Sequence, residues 1–194
     1  VGNVPDKGYF DRKYGEGRWA YSTIYSLAIG EGEMLTNPLQ MANLAVIIAN
    51  KGYYYSPHIV KSINKEGKPE IFKVKHDCGV DPKHFDLVID AMQHVVDQTG
   101  GTARRARIPG IEVCGKTGTV QNDPLPDHSV FIAFAPKTNP KIAISVYVES
   151  AGFGGTWAAP IAALMIEKYL TDSIQDPLKE KRIMDQAFPE PLPN

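Results

Sequence analysis

The sequence predicts an α+β fold built around an antiparallel sheet, and two observations carry that prediction. Three extended segments follow one another between residues 111 and 149, with helical patterns before and after them instead of alternating with them. The last two are joined by only five residues, 136–140, whereas a parallel pair needs a crossover of a dozen residues or more.

Taken in order, residues 1–30 are rich in glycine, tyrosine and charge without sustained periodicity, and read as loop with one short helix near 21–28. Thr36-Asn37-Pro38 places a capping residue before a proline at the first helical position, opening a helix over 39–50 that stops at Gly52. Its apolar residues run nearly all the way round, so it is expected to be buried through the centre of something larger. Residues 53–63 have the aromatic and β-branched content of a strand, ending in a turn at Glu66-Gly67. Asp81-Pro82 repeats the cap-and-proline signal. Phe85, Val88, Ile89, Met92, Val95 and Val96 then recur at helical spacing until Gly100-Gly101. Strands follow over 111–121, 128–135 and 141–149, then a helix over 158–170 and a short one near 178–187 in a proline-rich tail.

With 194 residues, 43% of them hydrophobic and 22% charged, the chain has the composition of an ordinary globular protein and length for one good core. A formal net charge of -1 gives no electrostatic reason to expect nucleic acid or an anionic surface as the main partner, and Arg104-Arg105-Ala106-Arg107 reads as a solvated loop. The longest apolar run, near residues 39–49, is too short to span a bilayer. Cys78 and Cys114 have neither Cys-x-x-Cys spacing nor a nearby histidine at zinc-ligand spacing, and both read as buried free thiols. The five histidines share no ligand spacing, so no metal site is expected, and no cofactor motif is complete: Gly30-Glu31-Gly32 lacks the rest of a dinucleotide fingerprint. Asp123 and Asp127 read as solvated loop residues and Trp157 as a packing anchor at the start of the last long helix.

One stretch points to chemistry. Val113-Cys114-Gly115-Lys116-Thr117-Gly118-Thr119-Val120-Gln121 carries Lys-Thr-Gly inside a predicted strand, behind Gly100-Gly101-Thr102-Ala103 and a Pro109-Gly110 turn. Chance alone would supply the tripeptide in roughly one chain of this length in forty, so its context matters. Lysine offers fixed positive charge, threonine a hydroxyl for a carboxylate, and glycine lets another extended backbone come close.

Gly101-Thr102-Ala103, then 115–121, then 127–136 (DHSVFIAFAP) resemble the third motif region of penicillin-binding proteins. The segment 28–42 (AIGEGEMLTNPLQMA) is similar to the same family, most closely its class B transpeptidases of cell elongation, although that pattern usually has glutamine where Glu31 stands. The resemblance implies a partial transpeptidase fold of the kind shared with serine β-lactamases. Its five-stranded sheet has the Lys-Thr-Gly strand at one edge, and the strand at 141–149 pairs with an upstream strand. Residues 1–172 are then the C-terminal portion of one transpeptidase domain and 173–194 a tail.

Acyl transfer in this family uses a serine from a Ser-x-x-Lys motif and a Ser-x-Asn motif beside the Lys-Thr-Gly strand. Ser62-Ile63-Asn64-Lys65 matches both patterns at once. One serine cannot serve both roles, however, and it follows the 29–32 segment that both motifs should precede. The nucleophile is therefore expected upstream of Val1, leaving these residues inactive alone. By the resemblance, Lys116 supplies positive potential and aids proton transfer, and Thr117 and Thr119 bind the substrate carboxylate. Gly118 keeps the strand face clear, and the backbone N–H of Thr119 completes an oxyanion hole with that of the missing serine.

The implied partners are the D-Ala-D-Ala end of a peptidoglycan stem peptide, β-lactam antibiotics, the upstream half of the same chain and a membrane glycosyltransferase of the elongation machinery. Nucleic acid is not among them. The implied location is the outer face of the cytoplasmic membrane, through an upstream anchoring helix. Two rivals share the strand motif: a serine β-lactamase or β-lactam sensor, and a non-catalytic relative that binds wall peptide or a partner.

Overall fold

The computed structural model describes residues 2–63 and 67–186. They form two compact units, one up to Gln40 and the other from Met41 on.

In the first unit, helix α1 (Lys7–Tyr14) is capped by Asp6, whose Oδ1 accepts from the Tyr9 N–H at 2.7 Å. Phe10 is the buried residue of this helix, packed among the rings of Tyr9, Tyr14 and Trp19. Glu33 accepts from Lys13 Nζ and Tyr14 Oη, and these two partners hold its carboxyl below the usual range, Tyr14 contributing most. Helix α2 (Tyr21–Ala28) occupies its expected span. Gly30 ends it with φ of 81°, a left-handed conformation that glycine adopts without strain, while the Glu31 N–H returns to Ser26 O. Helix α1 was not anticipated, because Gly8 and four charged residues among eight hide its buried anchor, Phe10.

Helix α3 (Pro38–Ala49) starts as predicted. The side chains of Asn37 and Gln40 accept from each other's backbone N–H, a reciprocal box that satisfies two donors at the helix start. The expectation of full burial is not met among the described residues. Only Ala45 is buried, and Leu39 and Leu44 are 62% and 43% exposed. An apolar circumference states what a helix can bury, and the described residues cover those two positions only in part.

In the second unit, strand β1 (Tyr53–Tyr55) pairs antiparallel with β2 (Lys75–Asp77). The strand is shorter than the predicted 53–63 because Pro57 has no N–H to continue a ladder. Of the predicted Glu66-Gly67 turn, Glu66 lies outside the described residues, while Gly67 has a φ of 87° and its carbonyl accepts from the Ile63 N–H at 3.2 Å. Helix α4 (Lys83–Asp97) then buries Phe85, Ile89, Met92 and Val96, the expected periodic positions, although Val88 is exposed.

The main sheet has the order β3 (Cys114–Val120), β4 (His128–Ala135), β5 (Ile142–Val148), antiparallel throughout. Phe131, Ala133, Ala135, Ile144 and Val146 form one face, packed on Ala158, Ala159, Ala162, Ala163 and Ile166 of helix α5 (Ala158–Thr171). The alanine stripe lets the helix lie close to the strands. The other face presents Cys114 and Phe134 to Phe85, Ile89 and Met92 of α4. The sheet is thus held between two helices, each buried large side chain contributing about 1.5–3 kcal/mol. Helix α6 (Pro177–Met184) packs on α5. Among the described residues β5 pairs with β4 alone, and Tyr147 on β5 is 41% exposed.

The two thiols differ, against the expectation that both are buried. Cys78 is exposed just after β2, whereas Cys114 is buried at the start of β3, where desolvation pushes its pKa up to about 12. At pH 8 a soluble maleimide is expected to label Cys78 and spare Cys114, because the thiolate is the reactive species. Peptide mass mapping checks this, and equal labelling would contradict the assigned burial.

Candidate active site

The Lys-Thr-Gly strand lies at the edge of the main sheet, and its outer side has no strand partner among the described residues. In the register of β3 on β4, Lys116 stands opposite Ile132, Thr117 opposite Phe131, Gly118 opposite Val130 and Thr119 opposite Ser129. Alternation therefore puts Thr117 and Thr119 on the face of Phe131, and Lys116 and Gly118 on the other.

The chain approaches β3 from the end of α4. The Ala103 N–H donates to Val95 O at 3.0 Å, and a Cβ on Gly101 would lie 2.4 Å from that same oxygen, so only glycine fits there. This close turn brings Thr102 Oγ1 to 2.8 Å from Thr117 Oγ1. A single 3-10 turn, Arg104–Ala106, follows; it buries Ala106 and leaves Arg104 and Arg105 exposed.

From the opposite side comes the loop before α5. Ser129 is fully buried; its Oγ donates to Phe153 O at 3.1 Å and accepts from the Ala158 N–H at 3.0 Å. That one hydroxyl ties both ends of the 153–158 segment to β4. Between the ties, a Cβ on Gly154 would come within 2.2 Å of Val130 O and 2.4 Å of Gly118 O, and one on Gly155 within 2.2 Å of Thr102 O. The two glycines thus set backbone against backbone, closing the loop over Gly118 and Thr102.

A cavity of about 440 Å³ opens between these pieces, lined by Thr102, Arg104, Arg105, Thr117, Thr119, Phe153 and Thr156 with the glycines. It presents four threonines and two guanidinium groups and no carboxylate. Neither arginine has an ion pair among the described residues. Such a site suits an anion that accepts several hydrogen bonds at once.

Of the residues predicted to matter, Thr117 and Thr119 meet in this cavity. Gly118 offers open space on its own side-chain face, where an added Cβ would touch only the Val130 side chain, at 3.4 Å. Lys116 does not line the cavity. It is exposed on the other face of the strand, its Nζ donating to Thr117 O at 2.8 Å. Ser62 lies exposed in a segment without regular structure, away from the cavity, and Asn64 and Lys65 of its apparent motif fall outside the described residues. Asp123 and Asp127 do not reach the cavity. Trp157 packs against the Arg182 guanidinium at 5.2 Å, a packing role.

Sequence reasoning missed Gly154, Gly155 and Ser129, and treated Arg104 and Arg105 as plain solvated residues. They are exposed, yet they also border the cavity. A double glycine ahead of a helix was the one available signal. A larger cavity of about 860 Å³ is bordered by Gln93, Asp97, Glu112, Glu167 and Lys179, and none of Lys116, Thr117, Gly118 and Thr119 lines it.

Comparison with known proteins agrees with this geometry. Residues 2–167 match the penicillin binding protein transpeptidase domain. The peptidoglycan D,D-transpeptidase MrdA of Haemophilus influenzae is 29% identical over 95% of this chain, which corresponds to 32% of that protein. In structure, the chain resembles Pseudomonas aeruginosa PBP2, crystallised with WCK 5153, with a TM-score of 0.78 and 33% identity over 89% of this chain and 37% of that one. A ceftriaxone acyl-enzyme complex of penicillin-binding protein A from M. tuberculosis matches with a TM-score of 0.62 and 31% identity, covering 75% of this chain and 35% of that one. The chain therefore spans about a third of the length of the relatives it matches. With a family match over nearly its whole length and the Lys-Thr-Gly strand at the sheet edge, the chain belongs to the transpeptidase-domain family of the penicillin-binding proteins, in the class B branch of PBP2/MrdA type.

Proposed function

We propose that this chain forms the Lys-Thr-Gly wall of a peptidoglycan D,D-transpeptidase, a target of β-lactams, and that residues 1–172 are the C-terminal portion of its transpeptidase domain with 173–194 a tail. The observation that carries the reading is the pairing of a free strand edge with a cavity of threonine hydroxyls and guanidinium groups that contains no carboxylate.

In the proposed reaction a serine supplied by another part of the protein attacks the carbonyl of the penultimate D-alanine. The peptide bond breaks, the terminal D-alanine leaves with the proton lost by the serine, and an ester remains. An amine from a neighbouring stem peptide then attacks the ester, forming the cross-linking amide and returning the proton to the serine. Thr117 and Thr119 bind the terminal carboxylate by hydroxyl donation. Gly118, bare on its outer face, lets the extended peptide lie along the β3 edge as an added strand. The Thr119 N–H forms one half of the oxyanion hole, a donor whose loss typically costs about 2.7–4 kcal/mol. Lys116 adds positive potential and passes protons through the Ser-x-Asn serine. No metal or cofactor enters this chemistry.

The proposed setting is the outer face of the cytoplasmic membrane. Wall peptide, β-lactams, the remainder of the same domain and a membrane glycosyltransferase are the proposed partners. Among the described residues no helix is long and apolar enough to cross a membrane.

The test is Thr117→Val against Thr117→Ser in the intact protein. A hydrogen bond to a charged group contributes about 1.5–3 kcal/mol, so valine should slow acylation by a fluorescent penicillin about tenfold or more while serine stays near wild type. Valine matching wild type would remove Thr117 from the carboxylate site.

A further inference from the structure

Arg104 and Arg105 border not one cavity but two. Beside the Lys-Thr-Gly cavity lies a second of about 410 Å³, lined by Arg104, Arg105, Arg107, Lys179 and Arg182, with Asp176 as its one carboxylate. Oδ1 of Asp176 is already engaged at the start of α6, accepting from the N–H groups of Leu178 and Lys179 at 3.1 and 3.0 Å. Five cations thus line this cavity beside one acid in a chain whose overall formal charge is only -1; Arg107 and Lys179 also border the larger cavity with Asp97, Glu112 and Glu167, so the local excess rests on Arg104, Arg105 and Arg182. Repulsion among these like charges is unfavourable for the fold on its own and is relieved by an anion.

Two of these cations are held in place. The Arg182 guanidinium lies 5.2 Å from the centre of the Trp157 ring, and Lys179 Nζ donates to Arg107 O at 3.3 Å. Burial pulls the Lys179 ammonium below the usual lysine range, with Glu167 and Asp176 opposing that shift, which marks a cation short of water. A guanidinium held like that of Arg182 suits a carboxylate, which it grips through two parallel hydrogen bonds. Arg104 and Arg105 line both cavities, so the two adjoin at these side chains between Thr117 and Thr119 on one hand and α6 on the other.

We propose that the two cavities act as one track that binds an extended acidic peptide, holding at least one carboxylate beyond the terminal one taken by the threonines. The proposal rests on the transpeptidase reading and adds to it the chemical class of the substrate: a stem peptide with a free second carboxylate is preferred to one in which that group is an amide.

The experiment compares two synthetic peptides ending in D-Ala-D-Ala on the intact protein, identical except that an internal carboxylate is free in one and a carboxamide in the other. The wild-type protein is expected to show a kcat/KM for the free acid about tenfold higher, carried mainly by KM, and to lose that preference as salt screens the arginines. Arg105→Ala and Arg182→Ala should each bring the ratio of the two peptides toward one, and Arg182→Lys should restore part of it. A merely structural role for these residues would lower both peptides together and leave the ratio unchanged, which overturns the proposal. So does a wild-type protein without preference. Binding to anionic phospholipid vesicles that is lost in the variants, with the peptide ratio intact, overturns it in favour of a lipid surface. Failure of the wild-type protein to take a fluorescent penicillin would instead overturn the transpeptidase reading itself, and this proposal with it.

Discussion

Replacing Lys116 by alanine in the intact protein is expected to lower the second-order rate of acylation by penicillin by about 10²–10⁴-fold, the range over which a positioned proton-transfer group contributes. Lys116 is exposed, so its loss should leave the sheet intact. Among the described residues its side chain makes one hydrogen bond, the 2.8 Å donation to Thr117 O, on the strand that forms the proposed wall. Ser62→Ala is the control. Ser62 is exposed, lies in irregular chain and does not line the cavity, and surface replacements of this kind stay within about 0.5 kcal/mol, or roughly twofold in rate. The acylation rate of each purified variant, followed by penicillin fluorescence, decides between them. Equal losses at the two positions would mean that Lys-Thr-Gly here is an ordinary strand end.

The second large effect is on stability. Phe131 is fully buried and sits directly against Gly115, where an added Cβ would lie 2.2 Å from its ring. The ring fills the space that the glycine leaves beneath the motif strand and joins β4 to α5. Phe131→Ala is expected to lower stability by about 3–5 kcal/mol through lost burial and the remaining cavity. Urea denaturation of the intact protein checks the value. A loss below about 1 kcal/mol would show that the layer collapses around the gap and that Phe131 is not what supports β3.

Much of this was legible in the sequence where a single segment fixes its own outcome. Residues 128–135 gave β4 at both ends, because an apolar run between a polar loop and a proline admits little else. The 83–97 helix followed from six apolar positions at helical spacing, four of which are buried, and the antiparallel pairing of β4 and β5 from a short link. What stayed hidden depends on contacts between distant residues. Nothing in Gly154 announces that its backbone rests on Gly118, thirty-six positions earlier (154 − 118), or in Thr102 that its hydroxyl meets that of Thr117. Arg104 and Arg105 read as solvated because charge in a loop normally is, and only the fold shows that two cavities meet at them. Helix α3 shows the converse: its apolar circumference was read correctly, but periodicity does not name the partner, and Leu39 remains exposed.

The central claim is that these residues carry the substrate-binding wall of a transpeptidase whose nucleophile lies in another part of the protein. Peptide mass mapping of the intact protein after labelling with a fluorescent penicillin tests it most directly. The expected result is a single acyl-serine in a Ser-x-x-Lys sequence outside residues 1–194, with every serine of this chain unmodified. An acyl group on Ser62 would contradict it.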